Sequence, residues 1–360
     1  MLKLLEFIRN HTEWEEQLSN APYHIKTKRS DGYIILSYGI EADFNMEIVR
    51  ECRGIILDET DGFRPVCVPF FKFGNYGEPY ADDIDWNTAK VQEKIDGSII
   101  KVWHHKGVWR VSTNNTINAE SARTDNNEET FMDVFHRAWL RTGKQFSDLN
   151  PDYSYMFELV SSQTRIVIPY AETKLFHTGT RDINTLQELD VDIEIEKPKT
   201  FSITTIEACV EAAKRLDKYH EGFVVVDSGW RRVKVKSPLY VSIHHILNNI
   251  SSEKRIIDLI VSGEDAEVIS YFPEYADMFG NMRERFDRFI AHNERELEMI
   301  RNAGYSTQKE LAEYVTQTIC PSCLFCVMNG KSKSVKDFVY DMPANRLIAY
   351  LEKFQNQPSS

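Results

Sequence analysis

The 360-residue sequence predicts an α+β chain: antiparallel sheets with flanking helices, then an all-α C-terminal domain. Two observations carry this. Short β-prone runs broken by Asp-Gly and Asn-containing turns recur from Tyr23 to Lys236. Beyond about residue 242 such runs nearly vanish, and apolar residues repeat at helical spacing between Gly and Pro. The boundary falls near residue 243, giving domains of residues 1–243 and 244–360. No low-complexity linker separates them, so direct packing is expected. At 42% hydrophobic residues, a chain of this length can bury two cores.

Taken in order, residues 2–18 read as one amphipathic helix, with Leu2, Leu5 and Ile8 on one face. Tyr23–Lys28 and Tyr33–Tyr38 flank Asp31-Gly32 as a hairpin. Glu51–Asp58 and Val66–Phe73 read as further strands. Val91–Ile100 reads as a hairpin turned at Asp96-Gly97, followed by a strand over Val108–Thr113. A helix is expected over 129–142. Strands follow at Tyr153–Val160, Arg165–Ile168 and Lys174–His177, then an Ala-rich helix over 205–218. Glu221–Val226 and Arg231–Lys236 close the β-rich part. Period two puts Lys234 and Lys236 on one face of the last strand and its valines on the other. Helices are expected over 253–262, 277–302, 308–319 and 333–354.

The bulk numbers exclude some classes. A net charge of −12 and a pI of about 5.4 do not suit a protein that coats nucleic acid non-specifically. Any nucleic acid must meet a local basic pocket on an acidic body. No apolar run approaches the roughly 20 residues of a membrane span, and the first residues lack a signal-peptide pattern. Six cysteines fit a reduced, cytoplasmic protein better than a disulfide framework.

Several residues draw attention for their chemistry. Lys94, in Glu93-Lys94-Ile95-Asp96-Gly97-Ser98, sits at the lip of a strand. Nearby cations or burial would favour the neutral amine, the form that attacks as a nucleophile. Alone, the stretch equally fits a plain hairpin with a surface lysine. Arg53 opens a strand, and Lys72 lies among Phe70, Phe71 and Phe73, so it either snorkels or points into a pocket. Glu158 stands inside an apolar strand, where an unpaired carboxylate is costly, and so calls for a partner or a role. Glu221 repeats the theme at a strand start.

In this order, Arg53-Gly54, Lys72, Lys94-x-Asp96-Gly97, Phe157-Glu158, Glu221-Gly222 and Lys234-Val235-Lys236 resemble the successive motifs of covalent nucleotidyltransferases. The phrases Glu51-Cys52-Arg53-Gly54-Ile55 and Lys234-Val235-Lys236-Ser237 leading to Tyr240 are similar to the RNA ligase 1 family of T-even bacteriophages, the tRNA-repair ligases. The resemblance covers most of residues 1–245 and, more loosely, the rest. It implies a nucleotidyltransferase (ATP-grasp-like ligase) domain that uses ATP with Mg2+ or Mn2+ to seal RNA 5′-phosphate and 3′-hydroxyl ends. It further implies a tRNA cleaved in the anticodon loop as substrate, a helical domain that selects it, and a monomer. Lys94 would carry AMP. Asp96, Lys234 and Lys236 would complete the catalytic set. Arg53, Lys72, Glu93, Gly97, Glu158, Glu221, Lys234, Lys236 and Tyr240 would hold the nucleotide, and Glu221 also the metal. Two departures stand out: Asn114 occupies a position that is usually basic, and Gly74 one where a second aromatic is expected.

Two other readings compete. A DNA ligase or mRNA-capping-type enzyme would place a strand-rich oligonucleotide-binding domain after Lys236, where this chain reads as helical. A non-catalytic RNA-end binder would have no need of the full motif set. Cys320, Cys323 and Cys326 have zinc-like or iron–sulfur-like spacing but lack a fourth ligand nearby, and read as small buried residues at a helix start.

Overall fold

The computed structural model describes residues 2–39, 41–124, 129–250, 253–263, 265–305 and 307–355. It divides into two units, Met1–His244 and His245–Ser360. The chain is α+β, with every strand pairing in its sheets antiparallel.

The N-terminal apolar pattern makes two helices, α1 (Lys3–Asn10) and α2 (Trp14–Ser19), not one. Continuing one helix would carry the face of Leu5 and Ile8 on to Thr12 and Glu15. The break at His11–Glu13 instead turns Trp14 and Leu18 onto the same core. The Glu51 carboxylate receives the α1 backbone N–H groups of Lys3 and Leu4 at 3.0 and 2.7 Å.

The first sheet is a meander of β1 (Ile25–Ser30), β2 (Tyr33–Tyr38), β3 (Arg53–Asp58) and β4 (Arg64–Cys67), with the short helix α3 (Glu47–Glu51) inserted before β3. The strand expected over Val66–Phe73 stops at Cys67. Phe70 and Phe73 leave it to pack with Ile99 and Met156.

Next come β5 (Lys90–Glu93), β6 (Ser98–His105), β7 (Val108–Thr113), α4 (Phe131–Thr142), β8 (Tyr153–Val160), β9 (Lys174–Asp182), β10 (Glu188–Leu189), β11 (Thr200–Phe201), α5 (Ile206–Lys214), β12 (Gly222–Val226) and β13 (Arg232–Lys236). They build a second sheet ordered β11-β5-β12-β13 and a third ordered β10-β9-β8-β6-β7. The expected hairpin at Asp96-Gly97 is therefore not one. β5 and β6 belong to different sheets, and Lys94–Gly97 is the crossing between them. Arg165–Ile168 is not a strand either, because the Val167 and Ile168 N–H groups bond the Asp96 carboxylate at 2.9 and 2.7 Å.

Helix α6 (Pro238–Ile250) leads into α7 (Glu253–Ser262), α8 (Asp265–Tyr271), α9 (Ala276–Asn302), α10 (Gln308–Gln317), α11 (Pro321–Met328), α12 (Val335–Tyr340) and α13 (Ala344–Gln355). Pro343 splits the single helix expected over 333–354, as a proline interrupts helical hydrogen bonding. Phe279, Phe286 and Phe289 of α9 are buried in this second unit.

Candidate active site

Strand periodicity decides which side chains meet between the second and third sheets. Val91, Phe223, Val225, Val233 and Val235 pack with Cys209 and Ala213 of α5, so Gln92, Val224, Arg232, Lys234 and Lys236 turn to the opposite face. On β8, Phe157 and Leu159 pack with α4, which turns Met156 and Glu158 the other way. A pocket of about 80 Å³ lies between, lined by Lys94, Glu93, Glu158, Arg53 and Lys234, with Phe70, Phe73, Val224, Thr178 and Gln92 among its walls.

Lys94 enters as β5 ends. Its N–H still bonds the Gly222 carbonyl at 2.9 Å, which fixes its backbone against β12. Its Nζ donates to Glu221 Oε2 at 2.5 Å, and Lys236 Nζ reaches Glu221 Oε1 at 2.9 Å. Glu221 is 3% exposed, so the carboxylate is held between two cations out of bulk water.

The other cations converge with few anions to balance them. The Arg53 guanidinium stacks 4.7 Å over Phe70 and 5.5 Å over Phe73, while its buried Nε and Nη1 have no hydrogen-bond partner. Burial first, then the charges of Lys72 and Arg53, pull the Lys234 ammonium down to about 5. Lys72 is lowered by burial and by Arg53, and its Nζ lies 4.9 Å over the Phe44 ring. Lys72 does not line the pocket; it packs against aromatic rings beside it and acts on Arg53 and Lys234 through its charge. Burial raises Glu158 to about 7, against the opposing pull of Lys94 and Arg53. A buried guanidinium with two unpartnered N–H groups, lysines whose charge burial disfavours until an anion joins them, and a desolvated carboxylate together form a receptor for an anion that also carries hydroxyls.

Asp96 and Tyr240 stand behind this pocket. Asp96 is 3% exposed; its Oδ2 accepts the Val167 and Ile168 N–H groups, and its Oδ1 accepts the Tyr240 hydroxyl at 2.7 Å. That fully used carboxylate clamps the Lys94 crossing to the segment after β8 and to α6. Gly97 is needed for close approach: an added Cβ would lie 2.6 Å from the Leu159 carbonyl oxygen and 3.0 Å from Glu158 Cγ. The Glu93 N–H bonds the Lys199 carbonyl at 2.7 Å.

The two departures have local settings. At Gly74 an added Cβ would lie 2.9 Å from Ala81 Cα, so no aromatic fits on this backbone. Asn114 lies against Gly54, and beside it is a cation that sequence reasoning missed. Lys101 is fully buried on β6 and donates to the Gly54 carbonyl. Its signal was available: Ile99, Lys101 and Trp103 share one strand face. Arg232 was missed in the same way, although period two puts it with Lys234 and Lys236. Cys320 and Cys323 are buried and Cys326 half-buried on or beside α11. Among the described residues no group of three or more His, Cys, Asp or Glu is placed to hold a metal ion.

Comparison with known proteins agrees with this geometry. A protein named as a bifunctional polynucleotide kinase/RNA ligase, from Autographa californica nuclear polyhedrosis virus, is 29% identical over 272 residues, 69% of this chain and 39% of that protein. The chain thus spans well under half the length of that relative. The RNA ligase of Rhodothermus phage RM378 is 25% identical over 72% of this chain and 76% of its own. A solved Naegleria gruberi RNA ligase with ATP and Mn has 16% identity and a TM-score of 0.35, over 44% of this chain and 52% of that one, a likeness too loose to add weight. Residues 51–240, which hold every residue of the pocket, match the family described as RNA ligase, of the T4 RNA ligase 1 type. With more than half of its length matched, this chain belongs to the T4 RNA ligase 1 family.

Proposed function

We propose that the chain is an ATP-dependent RNA ligase. It joins RNA 3′-hydroxyl and 5′-phosphate ends through AMP carried on Lys94 and then on the RNA 5′ end. The observation that supports this most is one pocket lined by Arg53, Lys234 and Lys94, with Lys72 coupled to Lys234 by charge and Lys236 sharing the Glu221 carboxylate with the Lys94 amine.

In the first step the Lys94 ammonium gives a proton to Glu221, already 2.5 Å away, and the freed amine attacks the α-phosphorus of ATP. A P–N bond forms and pyrophosphate leaves, its charge met by Lys234, Lys236, Lys72 and Arg53. Glu158 faces the ribose. An oxygen of the RNA 5′-phosphate then attacks the same phosphorus, the P–N bond breaks, and Lys94 regains a proton. Last, the RNA 3′-hydroxyl attacks the 5′-phosphorus and expels AMP.

The donor set suits a divalent metal that arrives on phosphate oxygens rather than one caged by protein, since Glu221 is the carboxylate beside Lys94. Bound there, Mg2+ or Mn2+ would supply Lewis-acid neutralisation of phosphate charge. Asp96 and Tyr240 position the Lys94 crossing. The substrate we favour is RNA broken in a folded context such as a tRNA anticodon loop, handled by a monomer in the cytoplasm. A DNA ligase or capping enzyme is the alternative. The described residues after 244 hold helices and no strand, which weighs against the strand-rich domain those enzymes carry.

The test is incubation with α-labelled ATP and magnesium followed by a denaturing gel. The wild-type chain should retain label and Lys94→Ala none. Label on Lys94→Ala would remove Lys94 as nucleophile, and no label on either protein would remove the ligase reading.

A further inference from the structure

The pocket over Lys94 does not end at Gln92. Gln92, Thr178 and Arg232 also wall a second chamber of about 310 Å³ farther along the same inter-sheet cleft. This follows from strand geometry. Moving from Lys94 to Gln92 to Lys90 steps along the cleft-facing side of β5, away from the phosphate-binding cations. Moving from Lys234 to Arg232 on β13 does the same. The chamber has an apolar lining of Leu189, Val191, Val226 and Trp230. Its mouth carries Asp190, bridged to Lys90 and Lys197 at 3.1 Å each.

Size and polarity give the chamber a use. The Lys94 pocket, at about 80 Å³, is smaller than the roughly 150 Å³ cavity that takes up a benzene ring. A bound base must therefore press against the Gln92–Thr178 wall. On the proposed reading, phosphates lie at the cation cluster and the ribose at Glu158, which leaves the base pointing toward Gln92. The edge farthest from the ribose, carrying N6 and C2, then leads into the chamber.

We infer that the nucleotide site is bipartite, and that the second chamber accepts a substituent on the leading edge of the purine, so that the enzyme loads ATP derivatives extended at N6 or C2. This inference rests on the ligase reading, and its test separates the two. The full chain is incubated with magnesium and either ATP, N6-benzyl-ATP or 2-benzylthio-ATP, and the covalent adduct is weighed by intact-protein mass spectrometry. At least one derivative should load Lys94 within about tenfold of the ATP rate. Leu189→Trp, which fills the chamber without touching the Lys94 pocket, should lower that derivative's rate at least tenfold and leave ATP loading unchanged. Val191→Trp should do the same if Leu189→Trp disturbs folding, with ATP loading as the control for fold. Loading of ATP but of neither derivative overturns the inference, as does a chamber-filling variant that leaves the ratio unaltered. Failure of ATP itself to load overturns the ligase reading.

Discussion

Two buried lysines behave differently because their surroundings differ. Lys234 is held near 5 by burial and by Lys72 and Arg53, so at pH 7.5 it is neutral in the free pocket. A polyphosphate brought beside it reverses the balance, and the amine takes up a proton. Binding of α,β-methylene-ATP at pH 7.5 should therefore absorb about one proton. Calorimetry in buffers of different ionisation enthalpy reads this directly, and Lys234→Met should remove the buffer dependence. Equal enthalpies across buffers for the wild type would contradict the pocket's electrostatics. Lys101 has no such ligand. Burial lowers it to about 8, and its ammonium is committed to the Gly54 carbonyl, next to Arg53. Between pH 8 and 10.5 the unfolded chain keeps a proton that the folded chain has lost, so stability rises with pH through that window. The cost of burying the charge, about 3 kcal/mol, is fully present below pH 8. Relative to Lys101→Met, the wild type should gain about 2–3 kcal/mol between pH 7.5 and pH 10. Urea unfolding followed by tryptophan fluorescence measures this in the first unit alone, because all six tryptophans lie before residue 244. A parallel pH response in the variant would show that Lys101 is not the titrating group.

At the scale of elements, the crossing from β5 to β6 is where local rules and the fold part company. An Asp-Gly pair between two β-prone runs is a sound hairpin signal, yet Asp96 spends its carboxylate on Val167, Ile168 and Tyr240, and Gly97 is pressed against the Leu159 carbonyl. None of these partners lies within 60 residues of Asp96, so no window of sequence could show them. The same long-range demand dissolved the strand expected at Arg165–Ile168. The alternation of β13, by contrast, was legible, because period two needs no knowledge of what lies opposite: Val233 and Val235 face α5, Lys234 lines the cleft and Lys236 reaches Glu221. The order of motifs made Lys94, Glu158 and Glu221 legible as a group. The Gln92–Thr178–Arg232 wall was not, since it is assembled by sheets whose pairing the sequence does not state.

For the whole molecule, the division of labour has a physical basis. On the proposed reading, the acidic net charge repels RNA at a distance, so RNA contact depends on short-range cations, and those around Lys94 lie in Met1–His244. That unit has its own cores around β2–β3, α4 and α5, and it contains both ends of the hydrogen bonds and ion pairs described above for Lys94, Asp96 and Glu221. A chain cut after Ile250, which retains all of α6, should therefore load AMP on Lys94 at a rate within a few-fold of the full chain. The described residues that line the pocket all belong to Met1–His244, and we assign the helices α7 to α13 the choice of folded RNA. The measurement is the ratio of sealing rates on a nicked anticodon stem-loop and on linear RNA, in full-length and shortened chains. The shortened chain should seal linear RNA and lose at least tenfold in that ratio. An unchanged ratio in a shortened chain that loads AMP normally would leave the helices without a part in substrate choice. Loss of loading with tryptophan fluorescence intact would mean that the pocket needs the second unit to work.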